Sequence, residues 1–195
     1  MYAKLKVSDN CFVQVFNTHT IAQYTPIDED DQYRADRLTQ IFELARLVKT
    51  MTSNLQDHFT LVMGDLNCTP GSLEFHLLSK VLGSSFRDVY IDFTKDRSES
   101  ELAKNHDNTI EGEAKRLDYI FYQRQENWSL SNSEITMKDD KIIISDHYGV
   151  SATFQFNFRN NRSDTKIETS SLNRNNMEKG LFVILGNIIS LLNCL

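Results

Sequence analysis

Short alternations of apolar and polar residues open the chain. Lys4 to Val7 and Phe12 to Phe16 each read as a strand, and Ser8-Asp9-Asn10 between them predicts a hairpin. After a polar loop with Pro26 the period changes. From Tyr33 to Met51, Leu38, Ile41, Phe42, Ala45 and Val48 recur at three- and four-residue steps, which predicts an amphipathic helix with Arg34, Arg37, Glu43 and Lys49 largely off the apolar stripe. Leu61-Val62-Met63 is an apolar run that fits a buried strand, and Gly64 is expected to end it. Thr69 as N-cap and Pro70 at the first helical position predict a short helix from Pro70 to Lys80, with Glu74 near its positive end. Phe86 to Phe93 reads as a turn and short strand, and Thr94 to Lys115 as a charged surface loop. Arg116 to Tyr122, Ser133 to Met137, Ile142 to Ile144 and Gly149 to Phe158 have strand character, so the class is α/β.

Beyond that strand the pattern breaks. Residues 157–179 form a polar linker rich in Asn, Arg and Ser, and Gly180 to Leu195 is strongly apolar. At about 1.5 Å per helical residue the apolar segment is too short for the roughly 30 Å core of a bilayer. It reads as an interfacial or core helix or, the preferred reading after a polar linker, as a C-terminal hydrophobic helix that begins a transmembrane span. Lys and Arg outnumber the acids of the linker, which places the domain of residues 1–156 at a membrane and facing the cytosol.

Composition narrows the partners. A chain of 195 residues, 40% hydrophobic and 25% charged, is enough for one domain with a core. Its formal charge of -6 argues against gripping a phosphate backbone, so no nucleic acid is expected, and no pattern identifies a protein partner. Cys11, Cys68 and Cys194 are too scattered for a disulfide framework, which suits a reducing compartment.

Polar residues at the predicted strand ends carry the chemistry. Asp65 and Asn67 stand two apart, so on extended backbone they share a face, although an Asx turn explains the same spacing. With Asn17-Thr18-His19, Arg116-Leu117-Asp118-Tyr119 and Ser145-Asp146-His147 there are four such motifs. Together they supply two histidines, several carboxylates and an amide. Metal-assisted phosphodiester cleavage needs that set: a base for water, a donor to the departing oxygen, and neutralisation of phosphoryl charge.

In this order the motifs resemble the endonuclease/exonuclease/phosphatase superfamily, and His19 to Tyr24, HTIAQY, is similar to the matching stretch of neutral sphingomyelinases. The resemblance covers about Phe12 to Phe156. It implies a DNase I-like two-sheet sandwich flanked by helices, of which this chain holds about the C-terminal half. It further implies a Mg²⁺-dependent sphingomyelin phosphodiesterase acting on a membrane sphingolipid. A nuclease or phosphoinositide phosphatase of the same superfamily and an inactive membrane-bound fragment are the alternatives. Carried over by position, His147 is the general base with Asp146 beside it as a possible metal ligand, and Asp65 and Asn67 hold water and phosphate. His19 faces the phosphate from the other side, with Asn67 as a second substrate-binding group, and Asp118 orients His19. The family's principal Mg²⁺ ligand is a Glu on an early strand preceding the NTH motif. No residue of this chain can be assigned to it, so the chain by itself is expected to be inactive.

Overall fold

The computed structural model describes residues 1–8, 11–23, 31–53, 58–95, 108–110, 115–138, 145–157 and 179–186. In chain order the elements are β1 (Tyr2–Ser8), β2 (Cys11–His19), α1 (Arg34–Thr52), β3 (His58–Asp65), α2 (Leu73–Leu82), β4 (Phe86–Asp88), α3 (Val89–Thr94), β5 (Asp118–Gln123), β6 (Trp128–Thr136), β7 (Gly149–Asn157) and β8 (Lys179–Gly186). One sheet has five strands ordered β1-β2-β3-β5-β4, and the other has three ordered β6-β7-β8. The α/β class with two sheets and flanking helices is therefore as the sequence predicts. β1 and β2 pair antiparallel as the expected hairpin, while β2 and β3 run parallel on either side of α1.

Alternation along β3 fixes the layers. Phe59, Leu61 and Met63 face the second sheet and pack with Trp128, Val150 and Phe154. Val62 faces the helices, in a core with Ile41, Val48, Phe75 and Leu78. Because β3 is buried on both faces, its sequence reads as an apolar run without alternation. Phe59 closes the inter-sheet core: its ring stacks on Trp128 at 4.3 Å and meets Phe154 edge-on at 4.9 Å. Each such fully buried side chain contributes about 1.5–3 kcal/mol of transfer free energy.

Several elements differ from the sequence reading. The buried face of α1 is Arg37, Ile41, Leu44, Ala45 and Val48, whereas Phe42 is 54% exposed. The stripe is rotated because Arg37, 1% exposed, is drawn inward by Asp31 and by Glu74 at 3.0 Å. α2 starts later than expected. Its N-cap is Ser72, whose hydroxyl accepts the Phe75 N–H at 3.2 Å, and Thr69 to Gly71 form the preceding turn. The segment read as a turn and strand divides into β4 and a short helix, because the Asp88 carboxylate caps α3 by accepting from Tyr90 N at 2.9 Å.

At the C-terminus, the expected hydrophobic helix is not what the described part shows. Lys179–Gly186 is extended and pairs antiparallel with β7, from Asn157 opposite Lys179 to Val150 opposite Gly186. Leu181 to Leu185 is rich in β-branched and aromatic residues, and the edge of β7 offers unpaired backbone groups, so a strand satisfies both preferences. Residues 158–178 and 187–195, and the strand expected at Ile142 to Ile144, lie outside the described residues. No helix among the described residues is long and apolar enough to cross a membrane.

The ion cluster under α1 can be tested for its weight. Glu74→Ala removes one of the two acids that neutralise the buried Arg37 guanidinium. A loss of about 3–5 kcal/mol in urea unfolding is expected. A loss no larger than the roughly 0.2–1 kcal/mol of a surface pair would show that Asp31 alone satisfies Arg37.

Candidate active site

Strand register assembles the site. The parallel ladder sets His19 beside Asp65, and the antiparallel ladder sets Asp65 beside Asp118. These three residues therefore form one row across adjacent strands. Strand alternation turns them to the same side as Val13, Met63 and Ile120, so the row sits at the mouth of the core between the sheets. His147 enters from the approach to β7, where it forms a backbone bridge with Ile110.

The geometry pairs each histidine with a carboxylate. His147 Nδ1 lies 2.8 Å from Asp118 Oδ2 and 3.8 Å from Asp65 Oδ2. His19 Nε2 lies 3.4 Å from Asp65 Oδ2. Asp118 thus engages His147, not His19 as the resemblance implied. Register explains the difference, since Asp118 is separated from His19 by the strand that carries Asp65.

Asp65 divides its two oxygens between structure and site. Oδ1 accepts the Asn67 N–H at 2.8 Å, which is an Asx turn, while Oδ2 faces the histidines. Asn67 takes φ +45°, a conformation Asn tolerates, and its Nδ2 donates to the Thr20 carbonyl at 2.8 Å. The buried Thr20 returns the contact: its hydroxyl donates to Leu66 O at 2.6 Å, and its N–H donates to Asp65 O at 3.0 Å. Gly64 does not end the strand as expected, because β3 continues through Asp65.

Proximity and burial shift the charges. Burial, then the nearby Asp118 charge, pushes Asp65 up to about 6, against the pull of the Asn67 N–H and both histidines. The Asp118 hydrogen bond raises His147 to about 9, with the charges of Asp118, Asp65 and Asp146 adding to it and burial opposing it. Cys68, beside Asn67, is pushed up to about 12 by burial and is no thiolate nucleophile at neutral pH.

Ligand atoms of Asp65, Asp118 and His147 all lie within 4.8 Å of one another, which fits a divalent cation held mainly by the two carboxylates. Such an ion would relieve the like-charge contact that raises Asp65. Asp146 is exposed and stands outside this group. Arg116 serves structure instead. It is buried against Asp88 at 2.8 Å and lies over the Tyr119 ring at 4.5 Å. A cleft of about 140 Å³ adjoins Asn67 and is lined by Arg34, Thr69, Ser72, Glu74 and Lys115 among others. Sequence reasoning missed Thr20 as a clamp, and its only visible signal was its place beside His19.

The histidine–carboxylate pair makes a pH prediction. In Asp118→Asn the hydrogen bond loses its charge, and His147 is expected to titrate nearer its ordinary 6.5 than about 9. The native value lies above the unfolded one. The stabilisation is therefore complete below about pH 6.5 and is lost as pH rises through about 9, where wild type and variant should converge. Imidazole proton shifts follow the titration directly. A variant histidine still titrating near 9 would assign the proton to another partner.

The arrangement has relatives. The endonuclease/exonuclease/phosphatase family pattern matches residues 10–147, which is more than half of the chain. No curated protein matches it. Among solved structures, the human Nocturnin catalytic domain with bound sulfate is 19% identical at a TM-score of 0.57, covering 78% of this chain and 50% of that one. A humanized D. rerio TDP2 is 18% identical at 0.56, covering 78% and 58%. A mannosyl-6-phosphatase from Bacteroides thetaiotaomicron is 13% identical at 0.50, covering 73% and 51%. These likenesses are of fold, and the chain spans little more than half the length of the structures it matches. By the pattern it carries from residue 10 to residue 147, the chain belongs to the endonuclease/exonuclease/phosphatase family.

Proposed function

We propose that the chain carries the acid–base groups of a divalent-metal-dependent phosphodiester hydrolase whose substrate is a sphingophospholipid, cleaved to ceramide and a phosphorylated head group at the cytosolic face of a membrane. The observation that carries the reading is the row of His19, Asp65 and Asp118, closed by His147. The likeness of HTIAQY to neutral sphingomyelinases and the net charge of -6 support a lipid over a polyanion.

Each residue then has a task. With Nδ1 bonded to Asp118, His147 keeps Nε2 for proton transfer and takes the proton of the attacking water there. A base held up to about 9 works only after losing its own proton, so the residue gains competence as pH rises toward that value. His19, on the other side of Asp65, is placed to donate to the departing oxygen. Asn67 Nδ2 spends one hydrogen on Thr20 and has a second for a phosphoryl oxygen. Mg²⁺ held by Asp65 and Asp118 would supply charge neutralisation at the phosphoryl group. The cleft beside Asn67 gives a head group room near Arg34 and Lys115.

The protein should release a phosphorylated head group from sphingomyelin in vesicles when Mg²⁺ is present. His147→Ala should lower turnover by about 10²–10⁴, and His19→Ala by a similar factor with little change in KM. Cleavage of DNA without release from sphingomyelin would replace the lipid reading by the nuclease one. Phosphate release from a phosphoinositide alone would favour the phosphatase. Full turnover in both histidine variants would remove the acid–base assignment altogether.

A further inference from the structure

We infer that Thr109 is a positioning residue that holds the three pieces of the site in mutual register. It lies in the stretch whose charge pattern reads as a surface loop, yet it is 0% exposed. Its hydroxyl oxygen accepts two backbone hydrogen bonds, from Leu117 N at 2.9 Å and from Asp118 N at 3.2 Å. An sp³ oxygen with two lone pairs can accept both. Its own N–H donates to Lys115 O at 2.9 Å, so the chain on both sides of the 111–114 segment is tied back to the start of β5.

The other backbone group of Thr109 reaches the approach to β7. Tyr148 N donates to Thr109 O at 2.8 Å, one residue past His147, and Ile110 bridges His147 itself. A third link runs through Leu117, whose carbonyl accepts the Leu66 N–H at 2.9 Å. Leu66 stands between Asp65 and Asn67. Asp118, His147 and the Asp65 corner are each therefore no more than one residue away from a backbone group bonded to Thr109 or to its partner Leu117.

The device matters because the 2.8 Å contact of His147 with Asp118 joins β5 of the first sheet to the residues that lead into β7 of the second. A side-chain hydrogen bond between two such segments keeps that length only if the two backbones are fixed relative to each other. Thr109 supplies the fixing with one hydroxyl and one carbonyl. In its bearing on turnover the role rests on the hydrolase reading, while its bearing on the Asp118–His147 pair does not.

Thr109→Val keeps shape and β-branching and removes the hydroxyl; Thr109→Ser restores it. Hydrogen exchange at the Leu117 and Asp118 amides should be slow in the wild-type chain and faster by about tenfold or more in Thr109→Val. The Nδ1 proton resonance of His147 should shift or broaden, a change that mere loss of stability would not cause. In the active protein, turnover should fall by about 10²-fold with KM little altered. Thr109→Ser should recover all three readouts. Wild-type exchange at both amides and an unchanged His147 resonance in Thr109→Val would overturn the role. Should that variant fail to fold, the wild-type chain decides, because fast exchange of both amides refutes the clamp and slow exchange recovered in Thr109→Ser supports it. An absence of turnover on any phosphoester in the wild type would count against the hydrolase reading and leave the exchange and resonance results to judge Thr109.

Discussion

The close approach of Thr18 to Gly64 is the contact on which the site depends. A Cβ on residue 64 would lie 1.8 Å from the Thr18 carbonyl oxygen and 2.8 Å from Asn17 Oδ1, and the residue has φ +132°. Only glycine meets both conditions. Because it does, the parallel ladder between β2 and β3 stays tight to its last rung, and that rung is His19 with Asp65. Any larger residue would push the strands apart where the imidazole and the carboxylate have to meet. A backbone clearance in the sheet therefore governs the placement of the chemistry.

Electrostatics builds on that placement. Asp65 and Asp118 occupy neighbouring positions on adjacent strands with carboxylate oxygens within 4.8 Å, where two like charges repel. A proton on His147 is the local answer. The ring Nδ1 lies 2.8 Å from one carboxylate and 3.8 Å from the other; burial, then the Asp118 charge, raises Asp65, and the Asp118 hydrogen bond raises His147. A cluster that holds positive charge this way is suited to exchange it for a divalent cation, since the same carboxylates serve both.

Legibility followed the range of the interaction. The hairpin, the α1 span and the strand ahead of Asp65 are local patterns, and residue spacing shows them. All five candidate side chains lie at one end of the fold: His19, Asp65, Asn67, Asp118 and His147 are joined by the contacts above. Which histidine meets which carboxylate was not legible, because strand order is a long-range fact and a motif does not state its neighbours. Arg37 shows the same limit. Its spacing put it off the apolar stripe, and only the fold brings Asp31 and Glu74 close enough to bury it. Thr109 was hidden by composition, since a buried hydroxyl within a charged stretch has no periodic signal. Lys179–Gly186 failed for another reason: an apolar run suits a helix or a strand, and the free edge of β7 decided.

The division between the two cores explains why proton chemistry sits where it does. The buried ion pairs, Arg37 with Glu74 and Arg116 with Asp88, are each closed by a guanidinium and hold elements together. At the mouth of the inter-sheet core the bases are histidines, and His147, raised to about 9, can release the proton it holds. There the backbone is fixed by threonines, Thr20 on one side and Thr109 on the other, whose bonds carry no charge and do not change with pH. The titrating groups can thus gain or lose protons without loosening the frame that aims them. On the proposed reading a hard cation wants about six oxygen ligands, more than Asp65 and Asp118 can offer. The remaining ligands would come from water and from the oxygens of a phosphoryl group, between His147, which would take a proton, and His19, which would give one.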